Sequence, residues 1–128
     1  MQKTKGKGGK DMSSKGVGSH GEQIACDHLV KKGYDILKRN WHCRYGEMDI
    51  IARRGEEILF VEVKTRRTGE YGSPEDALNR VKKRALVRTA VQYLGEDQHD
   101  IDWRIDCIAI EMDHLNRVVR LEHFESII

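Results

Sequence analysis

Three charged residues, Asp49, Glu62 and Lys64, lie inside two otherwise apolar stretches of this chain. The stretches 46–53 and 58–64 are rich in Ile, Val, Leu and Phe, and the sequence Arg-Gly-Glu-Glu separates them. Two apolar runs joined by a short, glycine-containing turn are typical of a β-hairpin. In the register of this turn, Asp49 lies opposite Glu62, and strand alternation places Lys64 on the same face.

The facing carboxylates of Asp49 and Glu62 indicate a site for a divalent cation. Like charges repel in a sheet, and half-buried carboxylates lose hydration, so a cation between them relieves both costs. Mg²⁺ and Mn²⁺ bind carboxylate, carbonyl and water oxygens. We therefore expect Asp49, Glu62 and the main-chain oxygen of Val63 to be metal ligands, and Lys64 to manage an attacking water or a phosphate charge. The alternative interpretation is a polar stripe on an amphipathic hairpin that faces solvent.

The same two stretches carry recognisable motifs. Gly46-Glu47-x-Asp49 and Phe60-Val61-Glu62-Val63-Lys64-x-Arg66 resemble the PD-(D/E)xK nuclease signature of restriction endonucleases and archaeal Holliday-junction resolvases, with Gly46-Glu47 in place of the usual proline. Over about residues 20–124, the chain is similar to the YraN family of small, largely uncharacterised bacterial proteins. The further motifs behind this resemblance are Gly21-Glu22, Gly33-Tyr34, Asn40-Trp41, Gly72-x-Pro74 and Arg104-x-Asp106.

The resemblance implies a restriction-endonuclease-like fold and a metal-dependent endonuclease that hydrolyses phosphodiester bonds in DNA. It also implies that Glu22, from the first helix, lies beside the metal site with Asp49, Glu62 and Lys64. By spacing alone, Glu22 falls in a first helical turn, where the helix dipole favours a carboxylate. Both interpretations of Glu22 stay open at this point.

Composition limits the class of protein. A chain of 128 residues is sized for one domain with a proper hydrophobic core. No stretch approaches the roughly 18 consecutive apolar residues of a membrane-spanning helix, so we expect a cytoplasmic protein without a membrane partner. The three cysteines lack the spacing of a disulfide framework or a zinc site, so we expect reduced thiols.

Positive charge is clustered although the net charge is only +2. The clusters lie in the N-terminal tail, just after the hairpin and along one predicted helix; they suit a phosphate backbone, and the alternative is a solvated surface. The predicted DNA contacts are Arg66, Arg67, Lys82 and Lys83. No helix carries a recognisable base-reading motif, so we expect recognition of DNA structure rather than of sequence. Trp41 and Tyr45 are candidates either to stack against bases or to pack the edge of the hairpin.

The first half of the chain is predicted to contain a tail, a helix and a strand before the hairpin. Residues 1–19 are mostly Lys, Gly and Ser and form a predicted disordered basic tail, which leaves 20–128 as the domain. Apolar periodicity predicts a helix over 21–32, and a strand follows over 34–42. After the hairpin, the polar stretch 65–72 is expected to be a mobile flap.

The second half is predicted to contain a long helix and two strands. Ser73-Pro74 is a strong helix start, with serine as the N-cap and proline in the first turn. This helix is expected to kink near Asn79 and to end at Gly95. Alternating patterns predict strands over 103–112 and 118–124.

Together these patterns predict a single α/β domain, a mixed β-sheet flanked by helices in the order α-β-β-β-α-β-β. The leading functional hypothesis is a Mg²⁺- or Mn²⁺-dependent DNA endonuclease, and the resolvase resemblance implies branched DNA as its substrate. Resolving a junction symmetrically takes two sites, so a homodimer is expected on that substrate. Two alternatives remain: a non-catalytic nucleic-acid-binding or scaffolding domain, and a protein-interaction domain whose hairpin acids are surface charges.

Overall fold

One mixed β-sheet with a helix on each face organises the protein. The computed structural model describes residues 14–69, 78–95 and 100–128. The elements in chain order are α1 (Ser14–Lys31), β1 (Asp35–Cys43), β2 (Gly46–Arg54), β3 (Glu57–Arg67), α2 (Arg80–Leu94), β4 (Asp102–Met112) and β5 (Val118–Phe124). The predicted α/β class and element order are confirmed.

The strands lie in the sheet in the order in which they occur along the chain. β1, β2 and β3 are antiparallel to one another, and β4 and β5 form a second antiparallel pair. β3 and β4 are parallel. A parallel pair requires a crossover, and α2 lies in the connection between these two strands. β3 therefore occupies the centre of the sheet, where both of its faces are covered.

Side chains of β3 enter two apolar layers, one on each face of the sheet. Leu59, Val61 and Val63 pack with residues of α1, in what we call the α1 layer, while Ile58 and Phe60 pack with residues of α2, in the α2 layer. The sequence of a strand that is covered on both faces is a nearly continuous run of apolar residues, and the sequence of β3 has this character. The remaining fully or largely buried members of the α1 layer are Ala25, Cys26, Leu29, Tyr34, Ile50, Ala52, Ile108, Ile110 and Met112. Those of the α2 layer are Met48, Ile51, Leu86, Ala90, Leu94 and Ile105.

The first helix begins earlier than its apolar pattern indicates. α1 starts at Ser14, seven residues before the predicted start at residue 21. Once buried Ala25 and Leu29 hold the helix on the sheet, further turns extend it at low cost, because nucleation is the expensive step. Residues 14–19 are therefore helical rather than part of the predicted tail. The rest of that tail, 1–13, lies outside the described residues, and the division into tail and domain stays a prediction.

The second helix begins at Arg80, with Asn79 as its N-cap. The backbone of Asn79 is extended, and its side-chain oxygen accepts the N–H of Lys82 at 2.9 Å. The predicted continuous helix with a kink at this point is therefore wrong, because the asparagine satisfies a free N–H of a new first turn. The predicted start at Ser73-Pro74 lies outside the described residues. The predicted end at Gly95 is confirmed.

β3 continues three residues beyond the predicted strand. It ends at Arg67, so the beginning of the predicted flap belongs to the sheet. Parallel pairing with β4 continues as far as Glu111 and Met112, which gives these backbone groups their hydrogen-bond partners. The part of the predicted flap over 70–72 lies outside the described residues. The remaining strand boundaries lie within one residue of the predicted ones.

Candidate active site

The β2–β3 hairpin has the register that its turn predicts, up to the pair Ile50↔Val61. Asp49 follows just beyond this ladder, where its Oδ2 accepts the main-chain N–H of Val63 at 2.8 Å. The carboxylate of Asp49 therefore reaches across to the backbone of the neighbouring strand. This contact fixes it beside the part of β3 that carries Glu62.

The backbone around Asp49 departs from simple strand alternation. Met48 packs in the α2 layer and Ile50 in the α1 layer, although residues two apart on a regular strand share a face. On the neighbouring strand β1, Asn40 adopts a left-handed φ of 53°. The unbroken alternation predicted for this stretch therefore does not hold through Asp49. Irregularities of this kind change the direction of a side chain and are frequent beside functional sites.

The carboxyl group of Asp49 is costly to ionise in this position. Burial raises its pKa to about 7, and the charge of Glu62 adds to the rise, while the N–H of Val63 opposes it. Glu22 and Glu47 act in the same direction as Glu62, with smaller effects. Burial therefore favours the neutral form of Asp49, and a nearby cation would favour its charged form.

Glu62 is buried, and two lysines neutralise it. Its side chain is 5% exposed, and its Oε2 lies 3.2 Å from Nζ of Lys64 and 3.3 Å from Nζ of Lys82. Lys64 comes from the same strand two residues later, and Lys82 comes from the first turn of α2. Because a buried carboxylate must be paired, these two ammonium groups supply the positive charge that Glu62 requires.

Glu22 reaches the same region from α1. The side chain of Asn40 hydrogen-bonds to its carboxylate; burial raises the pKa of Glu22, and the charge of Glu62 acts in the same direction. The helix lies this close to the sheet because residue 21 is glycine. A Cβ atom at Gly21 would lie 2.1 Å from Cγ2 of Thr65 on β3, well inside van der Waals contact.

The position of Glu22 also decides between the two interpretations of its role. Because α1 begins at Ser14, Glu22 lies beyond the first turn, and the described first turn carries no acidic residue. The explanation by the helix dipole is therefore wrong, since that effect fades within the first turn. Glu22 interacts electrostatically with the carboxylates of Asp49 and Glu62 instead.

The described part of the chain contains no group of three or more His, Cys, Asp or Glu side chains placed to hold one metal ion. Asp49 and Glu62 are a pair, with the main chain of Val63 beside them, and Glu22 influences them from α1. A Mg²⁺ ion commonly takes one or two carboxylates and completes its coordination with waters and substrate oxygens. The two carboxylates of Asp49 and Glu62 match the number that such a Mg²⁺ site requires.

Comparison with known sequences places the chain in a family. The sequence model of the uncharacterised protein family UPF0102 matches residues 21–110, more than half of the chain. The chain belongs to the UPF0102 family. It is 40% identical over 118 residues to a UPF0102 protein of Alkaliphilus oremlandii, covering 88% of this chain and 97% of that protein. It is 41% identical over 116 residues to a UPF0102 protein of Geobacter metallireducens, covering 90% and 93%.

Membership in UPF0102 confirms the resemblance to the YraN family of small, largely uncharacterised bacterial proteins. The matched span includes all four predicted catalytic residues. Because UPF0102 is described as uncharacterised, membership by itself assigns no reaction and no ligand. Neither helix in the described ranges is long and apolar enough to cross a membrane.

The DNA-binding residues predicted for this UPF0102 protein lie in two places. They are Arg66, Arg67, Lys82 and Lys83. The two lysines are half-buried at the start of α2, and Lys82 contacts the carboxylate of Glu62. The two arginines end β3, where Arg66 lies 3.8 Å from Glu111 and Arg67 donates to the main-chain oxygen of Asp113 at 3.3 Å. Lys82 therefore lies at the candidate site, Lys83 follows it on α2, and the two arginines contact β4 and the residue that follows it.

A second buried polar cluster, centred on Asp106, has no counterpart among the sequence predictions. Asp106 is fully buried and accepts Nε–H of Arg104 at 3.0 Å and the N–H of Ser126 at 2.9 Å. Its other oxygen lies 2.7 Å from Nε2 of His123. Burial alone would raise the pKa of Asp106, but the hydrogen bonds from His123 and Arg104 outweigh it and lower the pKa.

His123 links this cluster to α1. Its Nδ1 lies 3.1 Å from Nε2 of His28 and 3.4 Å from Nζ of Lys32. The motif Arg104-x-Asp106 signals the cluster, because it places two charged residues on one face of an apolar strand. The contacts of Asp106 with His123 and of His123 with His28 cannot be predicted from sequence spacing, because they depend on how β4, β5 and α1 pack together. The cluster holds α1, β4 and β5 together on the face of the α1 layer.

Proposed function

We propose that this protein is a Mg²⁺- or Mn²⁺-dependent endonuclease that hydrolyses phosphodiester bonds in DNA. The observation that supports it is the carboxylate pair Asp49 and Glu62, in which burial and the charge of Glu62 raise the pKa of Asp49 to about 7. Such a pair lowers the stability of the fold, and strongly shifted carboxyl groups are most frequent at functional sites. A positively charged ligand accounts for its presence.

The donors fit a hard divalent cation. Asp49, Glu62 and the main-chain oxygen of Val63 would hold it, and all three are oxygen ligands, which suit Mg²⁺ and Mn²⁺. Two carboxylates leave coordination positions for water and for a substrate phosphate. When bound, the cation supplies charge stabilisation at the phosphate and lowers the pKa of a water molecule.

The lysines supply the positive charge that faces the substrate. Lys64 and Lys82 both contact one oxygen of Glu62, and Lys64 is 26% exposed, so either can exchange this contact for a phosphate oxygen within the site. Lys64 orients the attacking water or stabilises charge that develops on the phosphate. Lys82 brings a second ammonium group from α2, and Glu22, held by Asn40, completes the acidic side of the site.

The proposed substrate is DNA that is recognised by its structure rather than by its sequence. Lys82 and Lys83, with Arg66 and Arg67 further along β3, are suited to phosphates, which carry no sequence information. Branched DNA is the class of substrate that the resolvase resemblance favours, with two copies of the chain acting together. A role on cellular DNA also implies a cytoplasmic protein.

A cleavage panel of linear, nicked, flapped and four-way DNA, each with Mg²⁺ and with Mn²⁺, tests the proposal. Asp49→Asn and Glu62→Gln should each lower the cleavage rate by roughly 100-fold or more and abolish Mn²⁺ binding in calorimetry. Lys64→Ala should retain Mn²⁺ binding and lose turnover. Glu47→Gln is the matched control, because its carboxylate is exposed and pairs with His42. Carboxylate-independent cleavage, or no Mn²⁺ binding with or without DNA, would overturn the proposal.

The second candidate is a DNA-binding domain without turnover. One observation in its favour is that Lys64 and Lys82 already neutralise Glu62 without a metal ion. Another is that the described residues offer two carboxylates at this place, whereas three or more would bind a metal ion more tightly. In that case, DNA binding should be the same in EDTA and in Mn²⁺. Asp49→Asn should then leave affinity unchanged, and Lys82→Ala should weaken it.

A further inference from the structure

An open cleft lies between the β1–β2 turn and the middle of α2. Its volume is about 490 Å³, and its lining residues are Tyr45, Val87, Arg88, Val91 and Gln92. The lining therefore combines an aromatic ring and two branched aliphatic side chains with one guanidinium and one amide group. Val91 is 51% exposed, so the apolar part of the cleft is accessible from solvent.

The ring of Tyr45 is placed differently from the aromatic residues of the α2 layer. The ring of Tyr93 contacts those of Trp41 and Phe60 edge to face, with centroid distances of 5.3 and 5.8 Å. Trp41 is thus a packing residue, in agreement with the second of the two interpretations given for it above. Tyr45 instead pairs with Arg44, whose guanidinium carbon lies 4.9 Å from the ring centroid.

The cleft and the carboxylate pair are both lined by residues of α2. Lys82, which contacts Glu62, and Arg88, which lines the cleft, are six residues apart on α2, or about 9 Å along the helix axis. At the ~3.4 Å rise per nucleotide of a DNA strand, this distance corresponds to about three nucleotides. The basic residues of α2 between the two places are Lys83 and Arg84. A strand whose phosphate lies at the carboxylates would therefore follow a positively charged helix toward Tyr45.

We infer that this cleft binds an unpaired nucleobase of the DNA strand that enters the candidate active site. The inference rests on the proposed function and names the structural feature that the substrate must have. A base stacks on an aromatic ring whatever its identity, and Val87 and Val91 contact its apolar surface. Arg88 and Gln92 donate hydrogen bonds to its edge or to the adjoining phosphate. A paired base stays stacked in the duplex and cannot enter, so the cleft selects DNA with a single-stranded segment.

Binding in EDTA to a flapped DNA and to a duplex of equal length, followed by fluorescence anisotropy, isolates this step from cleavage. Tyr45→Ala should weaken binding of flapped DNA by roughly 10-fold and leave duplex binding unchanged. Tyr45→Phe, which keeps the ring, should bind like the original protein, and Val91→Ala should lie between the two. Val81→Ala is the matched control, since Val81 lies on the same helix and is 73% exposed outside the cleft.

A fluorescent base reports stacking directly. With 2-aminopurine in the single-stranded arm, binding should quench its emission, and Tyr45→Ala should remove the quenching even at saturating protein. Equal loss of flap and duplex affinity, no loss at all, or unchanged quenching would overturn the inference, as would a failure of the protein to bind flapped DNA. Flap binding that depends on Tyr45, without any cleavage, would support the base-binding cleft and contradict the proposed nuclease activity. Cleavage that depends on Asp49, with no effect of Tyr45→Ala, would support the nuclease activity and contradict the base-binding cleft.

Discussion

One hydrogen bond favours the ionised form of Asp49, whereas the rest of its surroundings favour the neutral form. The N–H of Val63 donates to its carboxylate at 2.8 Å, but burial and the charge of Glu62 outweigh this bond and raise its pKa. Neighbouring Glu62 is also buried, and the ammonium groups of Lys64 and Lys82 lie 3.2 and 3.3 Å from its carboxylate. Ionising the carboxyl group of Asp49 therefore lowers the stability of the metal-free protein.

Asp49→Asn should stabilise the metal-free protein at high pH. The pKa of Asp49 is raised from 3.8 to about 7 on folding, so the folded state binds more protons in this window, and stability falls as pH rises through it. Asparagine keeps an acceptor for the N–H of Val63 and carries no charge. We expect a gain of roughly 1–3 kcal/mol at about pH 8 and little change at about pH 4, measured by urea unfolding in EDTA.

Glu47→Gln is the control for this prediction, because Glu47 lies on the same strand with its side chain 51% exposed. It should change stability little at either pH. A loss of stability in Asp49→Asn at high pH, or an equal gain at both pH values, would mean that the carboxylate of Asp49 is not under electrostatic strain.

At the scale of elements, Gly21 determines how closely α1 approaches β3. Gly21→Ala would place a Cβ atom 2.1 Å from Cγ2 of Thr65, so the helix or the threonine must move. We expect a destabilisation of roughly 1–3 kcal/mol in chemical unfolding, and weaker cleavage because Glu22 moves with the helix. Gly18→Ala, on the same helix with no atom within 4 Å of the added Cβ, should instead stabilise by about 0.5–1 kcal/mol.

The double variant Gly21→Ala with Thr65→Ala separates crowding from other effects of the alanine. Removing Cγ2 and Oγ1 of Thr65 leaves its Cβ 3.2 Å from the new methyl group, a tight contact that a small shift can relieve. The double variant should therefore recover most of the lost stability. If it is no more stable than Gly21→Ala alone, contact with Thr65 does not explain the glycine.

The attachment of α1 to β5 should weaken in mild acid. Burial lowers the pKa of His28 below its usual 6.5, and the charges of His123 and Lys32 lower it further. The unfolded state then binds more protons, so stability is lost as pH falls below about 6.5. Asp106 faces His123 from β4 and stays ionised in this range, because its own pKa is lowered.

Thermal unfolding of His28→Gln against the original protein, between about pH 7.5 and 5.5, measures this contribution. The original protein should lose more stability over this range than the variant. Asp49 contributes in the opposite direction in both proteins, so the difference between them isolates His28. His114→Gln, at an exposed position, is the control. Identical pH profiles for the original protein and His28→Gln would contradict the prediction.

Local patterns predict the strands well and the helix starts poorly. Alternation and a glycine turn give the β2–β3 hairpin its register, because both act within a few residues. α1 starts at Ser14 because packing further along the helix stabilises turns that have no apolar pattern of their own. At α2, Ser73-Pro74 and Asn79 are both good capping sequences, and local rules do not reveal that a helix begins at Arg80 with Asn79 as its N-cap.

At the scale of the whole molecule, four elements bring charged residues to one place at the central strand. β3 contributes Glu62 and Lys64, β2 contributes Asp49, α1 contributes Glu22, and α2 contributes Lys82. The pair on β3 is predictable from alternation, since both residues lie on one strand. The contact of Lys82 with Glu62 is not predictable in this way, because it depends on α2 crossing over the sheet between the parallel strands β3 and β4.

The proposed active site occurs once among the described residues of one chain, and this limits what a single copy can cut. Cleaving two strands of a four-way junction symmetrically requires two sites related by a two-fold axis. In EDTA, sedimentation should therefore find two copies on a four-way junction and one copy on a flapped DNA with arms of equal length. Binding to a linear duplex of the same length should be weaker than binding to either. A strictly single copy on the junction, with the same affinity as for linear duplex, would exclude symmetrical resolution and leave an enzyme that nicks one strand.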